Sequence, residues 1–118
     1  MSESTVGDAY ILSYQGDILP VYIAKHDWLN QMQAYVGGLI EPVNYIIETI
    51  GEVYVNEEGT PLGLQPNLLA LTLFGGSNLY KGNVVIFKEG MNPRVQKDID
   101  LVLSMETKTT KEWFGEDE

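Results

Sequence analysis

The 118-residue chain contains no cysteine and a single histidine. The first absence removes disulfides, thiolate nucleophiles and cysteine metal sites together. The second leaves His26, beside Asp27, as the only imidazole. A lone histidine at a helix start reads more simply as a surface or capping residue than as a base. Basic residues are scarce too: seven Lys and Arg stand against seventeen Asp and Glu, for a net charge of −10. That field repels phosphate backbones, so direct nucleic-acid binding is not expected. It suits a basic partner protein or mimicry of nucleic acid, and it also keeps a small protein in solution.

Other absences narrow the field further. No apolar run approaches the ~20 residues that a membrane span needs. Met1-Ser2-Glu3-Ser4-Thr5 has neither a basic start nor an apolar stretch, so no secretory leader is expected and a cytoplasmic location is the default. Ser13, Ser77 and Ser104 lie in no nucleophile-elbow context. The pairs Gly37-Gly38 and Gly75-Gly76 lack the spacing of a phosphate loop or a dinucleotide fingerprint.

What remains is the composition of a globular domain, 44% hydrophobic and 20% charged. Residues 1–7 read as a flexible N-terminus, 8–114 as one domain, and 115–118 as an acidic tail. Ala9 to Ile23 predicts a hairpin that turns at Gln15-Gly16-Asp17, with Pro20 assigning its second arm to a sheet edge. Asp27 starts a helix over Trp28 to Val36, with Trp28, Met32 and Tyr35 on one stripe and Gly37 as its stop. Leu39 to Ile50 reads as mostly strand, and Val53-Tyr54-Val55 as another, ending in an acidic turn. Gln65-Pro66 opens a second helix. Val84 to Phe87 is a strongly β run that belongs at the centre of a sheet. Asn92-Pro93 opens a last helix, with Val95, Ile99 and Val102 along one side and Leu101 and Met105 as a second apolar line. The fold class is therefore α+β, a mostly antiparallel sheet of about five strands packed with two or three helices.

Candidate sites are few. Asn56-Glu57-Glu58-Gly59 places an amide and two carboxylates in one turn, able either to face water or to take a hard cation. It lacks the alternating acids of an EF-hand loop, so no metal is expected. Glu41 stands in an apolar strand and either faces solvent or needs a partner. Asn67 serves most simply as a helix cap; with the loop after Gly59 folded back, it would join Asn56, Glu57 and Glu58 in a small polar pocket. Trp113 and Phe114, beside Gly115-Glu116-Asp117-Glu118, form a partner-docking patch or pack on the domain itself.

The segments Val36-Gly37-Gly38-Leu39-Ile40-Glu41-Pro42-Val43, Val55-Asn56-Glu57-Glu58-Gly59, 62–67 and Gly82-Asn83-Val84-Val85-Ile86 follow one another in an order and spacing of some specificity. In this the chain resembles domain-of-unknown-function family 3846, frequent in bacteriophages and bacterial mobile elements. The resemblance covers about residues 8–90, and the segment after Asn92 is expected to lie outside it. It implies a small α+β fold and a phage or prophage setting, with no known activity. Small phage proteins of this kind often inhibit a host enzyme, neutralise a defence system or sequester a signalling nucleotide.

Three functions are thus on the table. The first is a non-enzymatic phage-type protein that binds and modulates a host protein with a basic surface, in host takeover or counter-defence. The second is a small-molecule or nucleotide sponge built on Glu41, Asn56, Glu57, Glu58 and Asn67, which requires Lys81, Lys88 and Arg94 to gather at one place. An enzyme, metal-assisted through carboxylates, ranks last. No cofactor is expected. A homodimer on Leu101, Met105 and Trp113 and a monomer are equally compatible with the sequence.

Overall fold

The computed structural model of the chain describes residues 7–43, 50–58, 62–75 and 80–114, with 106–114 as backbone only. The expected flexible start, the acidic tail, the strand content of Tyr45, Ile46 and Ile47, and the loop at Gly59-Thr60-Pro61 fall wholly or mostly outside the described residues.

Strand β1 (Gly7–Leu12) pairs antiparallel with β2 (Ile18–Ile23), as the alternation of the hairpin predicts. Gly16 turns it with φ +100°. A 3-10 turn (Lys25–Asp27) leads into helix α1 (Trp28–Val36). Gly37 ends the helix at φ +84°, where a residue with a Cβ is strained, and its amide and that of Gly38 both return to the Gln33 carbonyl. Strands β3 (Ile40–Pro42) and β4 (Val53–Asn56) follow, then helix α2 (Leu68–Phe74), strand β5 (Val84–Phe87) and helix α3 (Pro93–Phe114).

The strands form one sheet in the order β2-β1-β5-β4-β3, with every neighbouring pair antiparallel. Both edge strands carry a proline, Pro20 in β2 and Pro42 in β3. A proline donates nothing to a ladder, so each edge resists addition of a further strand. The central strand β5 is buried at every position, because helices cover both faces. Period-two alternation sorts its side chains. Val85 and Phe87 join Ala9, Ile11, Tyr54 and the α1 residues Met32 and Val36 on one face. Val84 and Ile86 join Leu12, Val53, the α2 residues Ala70, Leu73 and Phe74, and the α3 residues Val95 and Ile99 on the other. The result is three layers, helix, sheet and helices. Each fully buried aliphatic side chain contributes about 1.5–3 kcal/mol of transfer free energy.

Two expectations are corrected. The strand expected from Leu39 to Ile50 occupies only Ile40–Pro42 among the described residues. Of the residues that continue it, Val43 and Ile50 are both buried on the α2–α3 face, and the Ile50 carbonyl accepts from the Asn92 amide at 2.8 Å. Pro66 does not begin α2; it sits in an isolated bridge opposite Lys81, and the helix starts two residues later behind Asn67.

Candidate functional site

Two of the polar residues that suggested a pocket, Asn56 and Asn67, are engaged with the backbone. Asn56 is the last residue of β4, and alternation puts its side chain on the α1 face, next but one to Tyr54. It is 5% exposed. Its Nδ2 donates to the Val36 carbonyl at 3.1 Å, one of the helix-end acceptors that lack an intrahelical partner. Its Oδ1 accepts from the Glu58 amide at 2.7 Å, which closes the acidic turn. A Cβ on Gly38 would come within 2.9 Å of Asn56 Nδ2. The two glycines therefore do different work: Gly37 supplies the left-handed turn, and Gly38 leaves room for the asparagine.

Asn83 makes a second tie to the same helix end. Its Nδ2 donates to the Tyr35 carbonyl at 3.1 Å and its Oδ1 accepts from the Tyr14 amide at 3.2 Å. The sequence offered no cue for this role beyond an asparagine after Gly82 at the start of a strand. Asn67, fully buried, works on the opposite face. Its Oδ1 caps α2 through the Ala70 amide at 2.9 Å, while its Nδ2 donates to the carbonyls of Leu12 at 2.8 Å and Gly82 at 2.7 Å. One side chain thus binds the N-terminus of α2 to the ends of β1 and the β5 approach.

The expected polar pocket does not assemble. Asn56 belongs to the α1 layer and Asn67 to the α2 layer, and the amide groups of both are engaged. Glu57 and Glu58 face solvent, and Glu41 is exposed on edge strand β3 opposite Val55. No group of three metal-ligating side chains occurs among the described residues. Lys81 and Lys88 flank β5 at its two ends, seven residue steps or roughly 20 Å apart. Arg94 pairs with Asp98 at 3.5 Å on α3. The three basic residues do not gather.

His26 is exposed in the 3-10 turn, beside a cleft of about 390 Å³ at the start of α1. Asp27 precedes that helix without capping it, since its carboxylate accepts from the Asn30 side chain at 2.9 Å. A second cleft, of about 470 Å³, lies between the hairpin turn and the end of α1. The Tyr54 phenol has a displaced ionisation. Burial, followed by its hydrogen bond to the Glu52 carboxylate and that group's charge, pushes the phenol well above its ordinary value. Trp28 and Phe87 meet the Tyr54 ring edge-on, at centroid distances of 5.7 and 6.0 Å. The ring is thus packed between Trp28 and Phe87 in the core on the α1 side.

Helix α3 carries an exposed apolar pair. Val95 and Ile99 are buried and Val102 packs against the core, and Gln96 donates to the Tyr10 hydroxyl at 2.9 Å. Asn92 caps its start through the Arg94 amide at 2.8 Å. Leu101 and Met105, one turn apart, are 59% and 58% exposed. Trp113 and Phe114 end the same helix.

No curated protein and no solved structure matches the chain. A family profile does, over residues 10–105. The match extends beyond Asn92 through the first half of α3, contrary to the expectation drawn from the resemblance; Trp113 and Phe114 lie beyond it. On this match, the chain belongs to the family described as a domain of unknown function, DUF3846.

Proposed function

We propose that this protein is a non-enzymatic, acidic binding module of phage type that docks on a host protein with a basic surface and modulates it. The observation that carries the reading is the exposed pair Leu101–Met105 on α3, set beside the carboxylates of Asp98 and Asp100. Apolar anchors at i and i+4 on a helix are the pattern of helix-in-groove recognition. Acidic neighbours select a groove rimmed by Lys and Arg and speed the encounter. The net charge of −10 supports the same partner chemistry. Docking is favoured over the sponge reading because Asn56 and Asn67 hold backbone on opposite faces and Arg94 is paired with Asp98.

The test is affinity capture from a bacterial host lysate with the wild-type protein and a Leu101→Glu, Met105→Glu double variant. A defined polypeptide held by the wild type, released by high salt and not captured by the variant is the expected result. Equal capture by both proteins, or none by the wild type, would refute the reading.

A further inference from the structure

The cleft of about 470 Å³ at the seam between the β1–β2 turn and the end of α1 falls in the size range of small-ligand sites. Its wall is mostly apolar, from Ile11, Leu19, Ala34 and Tyr35, and Leu19 is 56% exposed there. A single carboxylate, Asp17, stands at it, and no Lys, Arg or His lines it. The carboxylate of Asp17 has no hydrogen-bond or ion-pair partner among the described residues.

The surrounding backbone is held in place. The Ser13 amide donates to the Asp17 carbonyl at 2.8 Å and the Gly16 amide to the Ser13 carbonyl at 2.9 Å. The Gln15 amide donates to Ser13 Oγ at 3.0 Å. Asn83, on the cleft wall, ties Tyr14 to the Tyr35 carbonyl and so fixes the turn against the helix. The Asn83 amide and the Ser13 Oγ acceptor are thus engaged with the protein's own backbone, and Asp17 is left as the one charged group on the wall.

We propose that this cleft binds an alkylguanidinium or alkylammonium group, with the stem on Ile11, Leu19, Ala34 and Tyr35 and the cationic head at Asp17. An apolar trough ending in an unpaired carboxylate matches a cation on a hydrocarbon stem and repels anions. Tyr35 adds an aromatic surface that such a cation favours. The group belongs either to a free amine or to a Lys or Arg side chain of a protein. The site is separate from the α3 patch, so either stands without the other.

Titration of the full chain with agmatine, and separately with a short acetylated peptide carrying one arginine, distinguishes the sources. The readout is the methyl NMR signals of Ile11, Ile18, Leu19 and Ala34. Saturable shifts confined to these methyls are expected, with a Kd on the order of 1 mM or tighter. Tighter binding of the peptide assigns the site to a protein side chain, and tighter binding of agmatine assigns it to a free amine. Asp17→Asn should weaken the tighter probe by about fivefold, and Ala34→Phe, which fills the trough from an exposed helix position, should abolish it. The proposal is overturned if neither probe shifts these methyls. It is equally overturned if 1-pentanol binds as well as agmatine, or if both variants bind like the wild type.

Discussion

Replacing Asn67 by alanine probes the fold at its most connected polar point. The side chain is fully buried and makes three hydrogen bonds, one to an amide and two to carbonyls. Loss of the helix cap alone costs about 1 kcal/mol. The stranded carbonyls of Leu12 and Gly82 add roughly 1–3 kcal/mol each where water cannot reach them. Partial relaxation brings the expected total to about 3–5 kcal/mol, a large share of the ~5–15 kcal/mol that stabilises a domain. Urea unfolding followed by tryptophan fluorescence and by far-ultraviolet circular dichroism measures it, as a lower midpoint with an unchanged slope. Asn67→Asp sharpens the test. It keeps an acceptor for the Ala70 amide but turns a carboxylate oxygen toward two carbonyls, so at neutral pH it should be no better than alanine. Burial without donors on that side raises the folded-state pKa of the new aspartate above its unfolded value near ~3.9. The stability it costs is therefore regained as pH falls through the folded pKa. A loss below about 1 kcal/mol for the alanine variant, or an aspartate variant as stable as wild type at neutral pH, would refute the role of Asn67 as a backbone clamp.

Three further outcomes are expected. Gly38→Ala, whose Cβ would meet Asn56 Nδ2 at 2.9 Å, should destabilise by about 1–2 kcal/mol, and combining it with Asn56→Ala should cost clearly less than the sum, as a double-mutant cycle by urea unfolding would show. Leu101→Glu with Met105→Glu should leave the unfolding midpoint within about 0.5 kcal/mol of wild type while abolishing partner capture, because both side chains are exposed. The Tyr54 phenol is raised above its unfolded value, so its contribution is present below pH ~10 and is lost as pH rises through the folded pKa. Tyr54→Phe should therefore flatten the alkaline fall in stability, and absorbance titration should find one fewer tyrosine that ionises only with unfolding.

The boundary between what was legible and what was not follows the range of the interactions. The hairpin, the helix over Trp28–Val36, the central place of Val84–Phe87 and the start at Asn92-Pro93 all rest on contacts or conformations within a few residues: a glycine that tolerates positive φ, a proline that cannot donate, an alternation of period two. These local signals placed five strands and three helices in the right order. The same signals gave a strand from Leu39 to Ile50 of which Ile40–Pro42 forms among the described residues, while the β-branched Val43 and Ile50 fill core positions beyond its end. They also misplaced the start of α2, because a proline suited to a first helical turn serves equally well in a bridge to Lys81.

The candidate site depended on interactions no local pattern encodes. Asn56 reads as a turn residue, yet its partner is the Val36 carbonyl twenty positions earlier. Asn67 reads correctly as a cap, but its other two bonds reach back 55 residues to Leu12 and forward 15 to Gly82. An amide in sequence is equally suited to a ligand and to a backbone carbonyl, and only the packing of α1 and α2 on opposite faces of the sheet brought carbonyls within reach first. Composition by itself determined the sign of the charge and the absence of cysteine chemistry, since neither depends on how the chain folds. Tertiary structure decided which polar groups are occupied and which stay open, because hydrogen-bonding capacity is shared out only when distant segments meet. That sharing consumed Asn56, Asn67 and Asn83, and left the Asp17 carboxylate and the Leu101–Met105 pair facing outward.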